Sequence, residues 1–361
     1  MITINTEMKV FDTHVHIIRR NSIADSVECF KRGFEWAGVE KCVFMCLLYE
    51  SKNNTDALNN LKGLYYKKHF SPNAYAFASL EHKLELSKEK LADDFLAQAR
   101  LYMSVGFDGI KMLEGKPGLR KDFGELLSSD VYDKFFGFME QCGKPITLHN
   151  ADPGYFWDES KLSPLQLARG WLVGKDQLTK EEMFRDVMNV MKKHPKLHLT
   201  LAHFGFTSEN IEDAKEFLDN YEYTSFDITP GGEQLINMQR KPDLWIPFLE
   251  SHADRIKYGT DTYNDVANSE EELRFHKLYR PNLVRNFFEG DGVYEYDGWI
   301  YQGVNFNRNL LRKIYFENAD KELGIPTKID MDYVRYEIKR FEKVVDSDLD
   351  KEDIKFMKEN F

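Results

Sequence analysis

Short apolar runs alternate with amphipathic segments from one end of the chain to the other. The runs VFDTHVHI (10–17), KCVFMCLL (41–48), AYAFASL (74–80), FDGIKML (107–113), PITLHN (145–150), LHLTLAHF (197–204), YTSFDIT (223–229) and RIKYGTD (255–261) predict eight strands, apolar enough to be buried on both faces. The stretches between them place apolar residues at helical spacing and predict helices over roughly 22–37, 55–69, 87–104, 129–141, 179–194, 208–220, 243–253 and 305–317. Local signals mark several ends. Thr179 with Glu182 forms a capping box, Ser87 and Ser208 are candidate N-caps, and Gly143 stops a helix just before Pro145.

Strands alternating with helices in this way are the pattern of βαβ units on a parallel sheet. No G-x-G-x-x-G turn follows the first strand, so a closed ring is favoured over a doubly wound dinucleotide-binding sheet. The expected fold is α/β, a (β/α)8 TIM barrel with long loops after strands 5 and 8 and a C-terminal helical extension. With 361 residues the chain has room for a barrel of about 250 residues and these additions. The barrel is expected over 1–324 and the extension over 325–361, packed on the outside as one amphipathic helix marked by Val334, Ile338, Phe341 and Val345. The two long loops, 150–178 and 262–304, leave C-terminal strand ends and overhang the face where barrel enzymes keep their sites. Their aromatic residues, among them Trp157, Trp171, Tyr279, Tyr296 and Trp299, suit a substrate pocket or, alternatively, stabilise the loops or a dimer interface.

Composition narrows the partners. Hydrophobic residues make up 42% and charged residues 30%, the balance of a globular protein. The formal net charge of -11 is spread along the chain without a basic block, which argues against nucleic acid. No run approaches about 18 consecutive apolar residues and MITINTEMKV lacks a signal-peptide pattern, so no membrane is expected and the location is read as cytoplasmic. Cys29, Cys42, Cys46 and Cys142 lack zinc-finger spacing and are read as reduced core residues.

The candidate chemistry sits at the strand ends. Side chains alternate faces along a strand, so Asp12, His14 and His16 should point one way, as should Thr147 with His149, Leu201 with His203, and Gly259 with Asp261. Four strands thereby bring His14, His16, His149, His203 and Asp261 to one rim. Unpaired, so many imidazoles beside a carboxylate would be costly to bury, and a metal would satisfy them. Imidazole nitrogens with one carboxylate suit one divalent ion, zinc first and manganese or iron(II) as alternatives, with an open position for water. A lone strand histidine is usually structural; the combination is what carries weight.

The order H-x-H ending strand one, His ending strands five and six, and Asp ending strand eight resembles the amidohydrolase superfamily. FDTHVH (11–16), GFDGIKM (106–112), PITLHN (145–150), LAHFGF (201–206), YGTDTY (258–263) and KIYFENADKELG (313–324) sharpen the likeness to its amidohydrolase-related (amidohydrolase 2) branch of TIM-barrel metal-dependent hydrolases. The likeness spans about residues 9–324. It implies His14, His16, His149 and Asp261 as ligands of a single metal, His203 as the catalytic histidine, and Asp261 as a second catalytic group acting as base. It leaves Lys111 three roles: a carbamate bridging two metals, an ammonium that binds substrate, or a structural ion pair. Arg19 and Trp157 join Lys111 as substrate-binding candidates, with Arg20, Asp227 and His276 behind them.

The implied reaction is hydrolysis of an amide, lactone or ester-like bond of a small organic substrate by metal-activated water. The alternative is non-oxidative decarboxylation of an aromatic or unsaturated carboxylic acid on the same site, and a ligand-binding pseudoenzyme is a third reading. The expected partner is a small organic acid or cyclic compound, and a homodimer is the default assembly. His69, His82, His194 and His252 are read as solvated helix residues, and His198 as facing the helices. Asp122-Phe123-Gly124 matches a kinase string, but the glycine-rich and catalytic loops that give it meaning are absent.

Overall fold

In a computed structural model the apolar runs become a ring of parallel strands. The structure describes residues 4, 6–18, 21–48, 57–83, 85–230, 233–296 and 298–361. Strands β1 (Val10–Ile17), β2 (Val39–Cys46), β3 (Ala74–Ala78), β4 (Gly109–Gly115), β5 (Ile146–Asn150), β6 (Leu199–Leu201), β7 (Thr224–Asp227), β8 (Ile256–Lys257) and β9 (Thr262–Tyr263) lie in the order β8-β7-β6-β5-β4-β3-β2-β1-β9. β8 and β9 are two halves of one passage. β8 pairs with β7 and β9 with β1, and across the gap Thr13 N–H bonds to the Tyr258 carbonyl at 3.0 Å and Asp261 N–H to the His14 carbonyl at 2.9 Å. The ring therefore closes, as the (β/α)8 pattern predicts.

Pleating divides the side chains into two populations. Ile110, Met112, Ile146, Leu148, Leu199, Leu201 and Phe226 join the apolar layer beneath the outer helices. The positions between them, Lys111, Thr147, His149, Thr200, Ser225 and Asp227, belong to the interior. On the β1–β3 side the interior is filled instead by Phe11, Val43, Met45, Tyr75 and Phe77, which pack against Ala319 and Leu323 of helix Asn318–Leu323. That helix seals the N-terminal strand ends, where Lys41 meets Asp320 at 2.5 Å and the Tyr75 hydroxyl donates to the Gly324 carbonyl at 2.5 Å.

β1 departs from the plain alternation. Asp12 pairs with Cys42 but Val15 with Phe44, so an extra residue is accommodated near 13–14 as a bulge. His14 and His16 still share a face, but Asp12 does not join them. It borders a small cavity with Phe30, Phe34, Lys277 and Pro281 on the helix side.

Local signals held at most helix ends. Thr179 and Glu182 form their capping box at Lys180–Lys193, Ser87 caps Lys88–Val105, and Gly143 ends Asp130–Cys142 at φ 65. Asn210 rather than Ser208 caps Ile211–Asn220. Helix Arg308–Arg312 runs through a π turn, Lys313–Glu317, into Asn318–Leu323, further than 305–317.

The additions carry more structure than expected. Segment 262–304 contains helix Glu270–Glu289 and an antiparallel hairpin, Val293–Tyr296 with Trp299–Gln302. Pro281 inside the helix and its run of charges mask the helical period in the sequence. Segment 150–178 holds two 3-10 turns and a short helix, Pro164–Ala168. Tyr279 stacks on Tyr296 at 4.5 Å and Phe156 on Trp171 at 5.2 Å, so several loop aromatics hold the insertions together. The tail forms two helices instead of one, Met331–Phe341 and Asp348–Asn360, with Val334, Ile338, Phe341 and Val345 all buried. Lys62, on helix Leu58–His69, pairs with Asp353 of the last helix at 2.5 Å, both buried. Cys42 and Cys46 are buried as expected, whereas Cys29 is half-buried and Cys142 exposed. Among the described residues no helix is long and apolar enough to cross a membrane.

Candidate metal centre

His14 and His16 emerge beyond the bulge with their Nε2 atoms 3.1 Å apart. Asp261 reaches the same point from the gap between β8 and β9, its Oδ1 2.8 Å from His16 Nε2 and 3.9 Å from His14 Nε2. His203 lies just past β6, at the head of a tight turn, His203–Phe206. Neither Asp261 nor His203 sits in a strand. Both have φ of 55, a left-handed conformation that costs a non-glycine residue on the order of 1 kcal/mol and is typical of functional turns. Ligand atoms of His14, His203 and Asp261 all lie within 4.8 Å of one another. His149, at the end of β5, stands beside them with its ring 4.9 Å from that of His203, but its Nε2 is taken up by Asp152 Oδ1 at 3.1 Å.

Asp227 organises this cluster from β7. Its Oδ2 lies 2.7 Å from His14 Nδ1, and its Oδ1 accepts the backbone N–H of His203 at 2.8 Å. Thr229 donates its hydroxyl to the same oxygen. Asp12, from behind, accepts the backbone N–H groups of His14 and Thr260, both at 3.1 Å, and so ties β1 to the segment carrying Asp261.

Burial sets the protonation states. It lowers His14 to about 4, with the Lys111 charge adding to the effect and Asp227 opposing it. Burial likewise lowers His16 and His149 and takes His203 well below the usual histidine range. Burial alone would raise the two carboxyls. The neighbouring His14 ring and its hydrogen bond nevertheless hold Asp227 below the ordinary carboxylate value, and Arg280 and His16 hold Asp261 well below it. The imidazoles are therefore neutral beside ionised carboxylates. His14 donates its Nδ1–H to ionised Asp227, which leaves the Nε2 lone pair facing His16 and Asp261.

These donors fit a metal ion. Bonds of roughly 2.0–2.2 Å in tetrahedral geometry put neighbouring ligand atoms about 3.4 Å apart, and the separations of 2.8, 3.1 and 3.9 Å bracket that spacing. The carboxylate–histidine contact behind His14 is the arrangement that orients metal-binding imidazoles. Among the described residues, Nδ1 of His16 and Nδ1 of His203 are buried without a partner, a cost that polar interiors usually avoid.

The substrate-binding candidates separate. Lys111 is fully buried with Nζ 3.2 Å from His14 Nε2, and burial lowers it to about 8 against the opposing pull of Asp227 and Asp261. Trp157 donates its indole N–H to the Leu178 carbonyl at 3.0 Å and packs with Phe156, Leu162 and Val173 in the 150–178 insertion. Arg19, with Arg20, lies outside the described residues. His276 falls on helix Glu270–Glu289 rather than on a loop. Arg280, on the same helix, donates through Nη1 to both Oδ2 and the backbone carbonyl of Asp261. Sequence patterns gave no signal for Arg280, because its helix was not recognised, or for Asp152, which follows β5 without regular structure.

Two background histidines also differ from expectation. His82 is not solvated: its ring stacks on Phe123 at 3.8 Å, its Nε2 lies 3.4 Å from Glu114 Oε1, and burial lowers it to about 4. His194 is buried as well. His198 points toward the closing helix, 3.9 Å from Glu322, as its strand position predicts. Phe123 of the kinase-like string thus has a packing role.

Three solved structures share this architecture. A 2,6-dihydroxybenzoate decarboxylase from Rhizobium matches with TM-score 0.52 at 15% identity, covering 88% of this chain and 99% of that one. A dihydroxybenzoic acid decarboxylase from Polaromonas, with bound manganese and the inhibitor 2-nitroresorcinol, matches with TM-score 0.52 at 13% identity over 87% and 96%. A 4-oxalomesaconate hydratase from Rhodopseudomonas palustris matches with TM-score 0.53 at 12% identity over 92% and 98%. No family model and no curated protein matches the sequence. Over most of its length this chain has the fold of these solved structures, a (β/α)8 barrel.

Proposed function

We propose that the chain is a metal-dependent enzyme of the amidohydrolase type that hydrolyses an amide, lactone or ester-like bond in a small organic substrate. The observation that carries this reading is the convergence of His14 Nε2, His16 Nε2 and Asp261 Oδ1 on one point, with His14 Nδ1 held by buried Asp227. His14, His16 and Asp261 would hold the ion, and His149 would join them as the fourth protein donor by exchanging its Asp152 contact for the metal. A bound divalent ion supplies a Lewis acid that polarises a substrate carbonyl or carboxylate and acidifies water. Zinc suits this donor set, with manganese or iron(II) as alternatives.

The chain's own groups divide the remaining work. His203 is neutral and buried, and among the described residues its Nδ1 has no partner, which leaves that nitrogen open to a substrate or water proton. Asp261 is tied by Arg280 and held ionised, which suits it to a ligand's role. Lys111, cationic and buried within the ring, offers its ammonium to an anionic or carbonyl oxygen of the substrate. Residues 1–324 form the catalytic barrel in this account, and 325–361 an extension that braces it.

Decarboxylation of an aromatic carboxylic acid is the second reading. The two decarboxylases of the same fold favour it, and the dihydroxybenzoate that names the first and the 2-nitroresorcinol bound to the second support a small cyclic or acidic substrate here. The test is an assay of purified protein loaded in turn with zinc, manganese and iron(II) against lactones, amides and hydroxybenzoates. Acid release from a lactone or amide supports the hydrolase, and carbon dioxide release from a hydroxybenzoate supports the decarboxylase. Protein that neither binds an ion nor turns over any of these contradicts both and leaves the pseudoenzyme.

A further inference from the structure

Asp261 is an improbable ligand by local structure alone. It falls in the interruption between β8 and β9, at φ 55, where nothing in a strand ladder fixes its side chain. Its N–H is held by the His14 carbonyl at 2.9 Å. Its carbonyl and its Oδ2 are both held by Nη1 of Arg280, while Oδ1 is left facing His16 Nε2 at 2.8 Å. We infer that Arg280 is a positioning residue: it clamps the backbone and the outer oxygen of Asp261, so that only Oδ1 is presented to the metal centre. The inference rests on the metal-centre reading above.

Arg280 is itself held. Its guanidinium lies over the Tyr263 ring at 5.5 Å, and that ring stands 5.1 Å from His16. One turn earlier Lys277 donates to the Tyr263 carbonyl, and at the start of the helix Glu270 pairs with Arg32 at 2.9 Å. Helix Glu270–Glu289 therefore does more than cover the rim, because it delivers the group that sets the carboxylate's direction. A guanidinium suits this task because its terminal nitrogen carries two N–H groups in one plane, which here reach a carbonyl and a carboxylate oxygen together. Its positive charge opposes a nearby cation, so orientation and repulsion act on metal affinity with opposite signs; the clamp inference requires orientation to dominate.

The probe is cobalt(II), titrated into metal-free protein and followed by its visible absorption. Removing groups that orient metal ligands typically weakens binding about 10–100-fold. Arg280→Gln is expected to bind cobalt weaker by that factor with an altered absorption band, as the freed carboxylate rotates, and Arg280→Lys to lie between it and the native protein. Native affinity and band shape in Arg280→Gln, or tighter binding, would overturn the inference. Circular dichroism of the metal-free variants checks folding. If Arg280→Gln does not fold, Arg280→Lys decides, and an unchanged band and affinity there overturns the clamp. Native protein that binds no cobalt contradicts the metal-centre reading instead, so the two failures are distinct.

Discussion

The Nδ1 atom of His14 lies 2.7 Å from Oδ2 of Asp227, and both side chains are fully buried. This contact fixes the tautomer of His14 and, through the other carboxylate oxygen, the backbone of His203. Asp227→Asn keeps the shape but replaces an ionised acceptor with a neutral amide. Metal affinity should fall about 10–100-fold, the usual effect of losing such a partner. Competition against a chelator measures it, and an affinity within twofold of native would mean that Asp227 is only a packing residue.

How much of this site was legible in the sequence follows from how far each residue depends on strand regularity. His149 and Lys111 lie in regular strand, and alternation alone aims them inward. His203 and Asp261 reach the rim too, but from left-handed turns beyond short strands, so the motif names residues that the structure brings together while strand alternation does not describe how they get there. Asp12 went the other way: strand parity grouped it with His14, and the bulge in β1 separates them. Arg280 could not be read at all, because Pro281 and the charges around it conceal a helix that touches the site only through the folded insertion.

Burial makes stability depend on pH in two opposing ways. His14 and His82 are lowered to about 4 from the ordinary 6.5. Between those values the unfolded chain binds more protons, so their contribution is present above pH 6.5 and lost as the pH falls toward 4. Glu114 is raised to about 7 from 4.5 by burial, despite backbone hydrogen bonds that lower it. Its contribution is present below pH 4.5 and lost as the pH rises through 7. Glu114→Gln should therefore gain stability relative to the native protein at pH 8 compared with pH 5. Urea unfolding at the two pH values measures this, and a stability difference independent of pH would show that Glu114 ionises freely.

The extension is expected to unfold with the barrel. Asp353 pairs with buried Lys62 at 2.5 Å and accepts the N–H of Ile23, the first residue of helix Ile23–Ala37, at 2.7 Å. Asp353→Ala removes the nearer partner of the Lys62 ammonium and leaves Asp350 at 3.8 Å, so the cost should fall at the lower end of the about 3–5 kcal/mol that removing one member of a buried ion pair typically takes. Denaturant unfolding monitored by circular dichroism gives the value. A loss under about 1 kcal/mol, or a separate early transition, would mark 325–361 as an independent appendage.

The central claim is that His14, His16 and Asp261 gather one ion while His203 handles the proton. Elemental analysis of dialysed native protein and of His203→Ala, paired with turnover of whichever substrate the assay identifies, tests it most directly. The account predicts one equivalent of divalent metal in both proteins and turnover lowered about 10²–10⁴-fold in His203→Ala, the usual weight of a general acid–base group. No bound metal in the native protein, or two equivalents of which His203→Ala loses one, would contradict it.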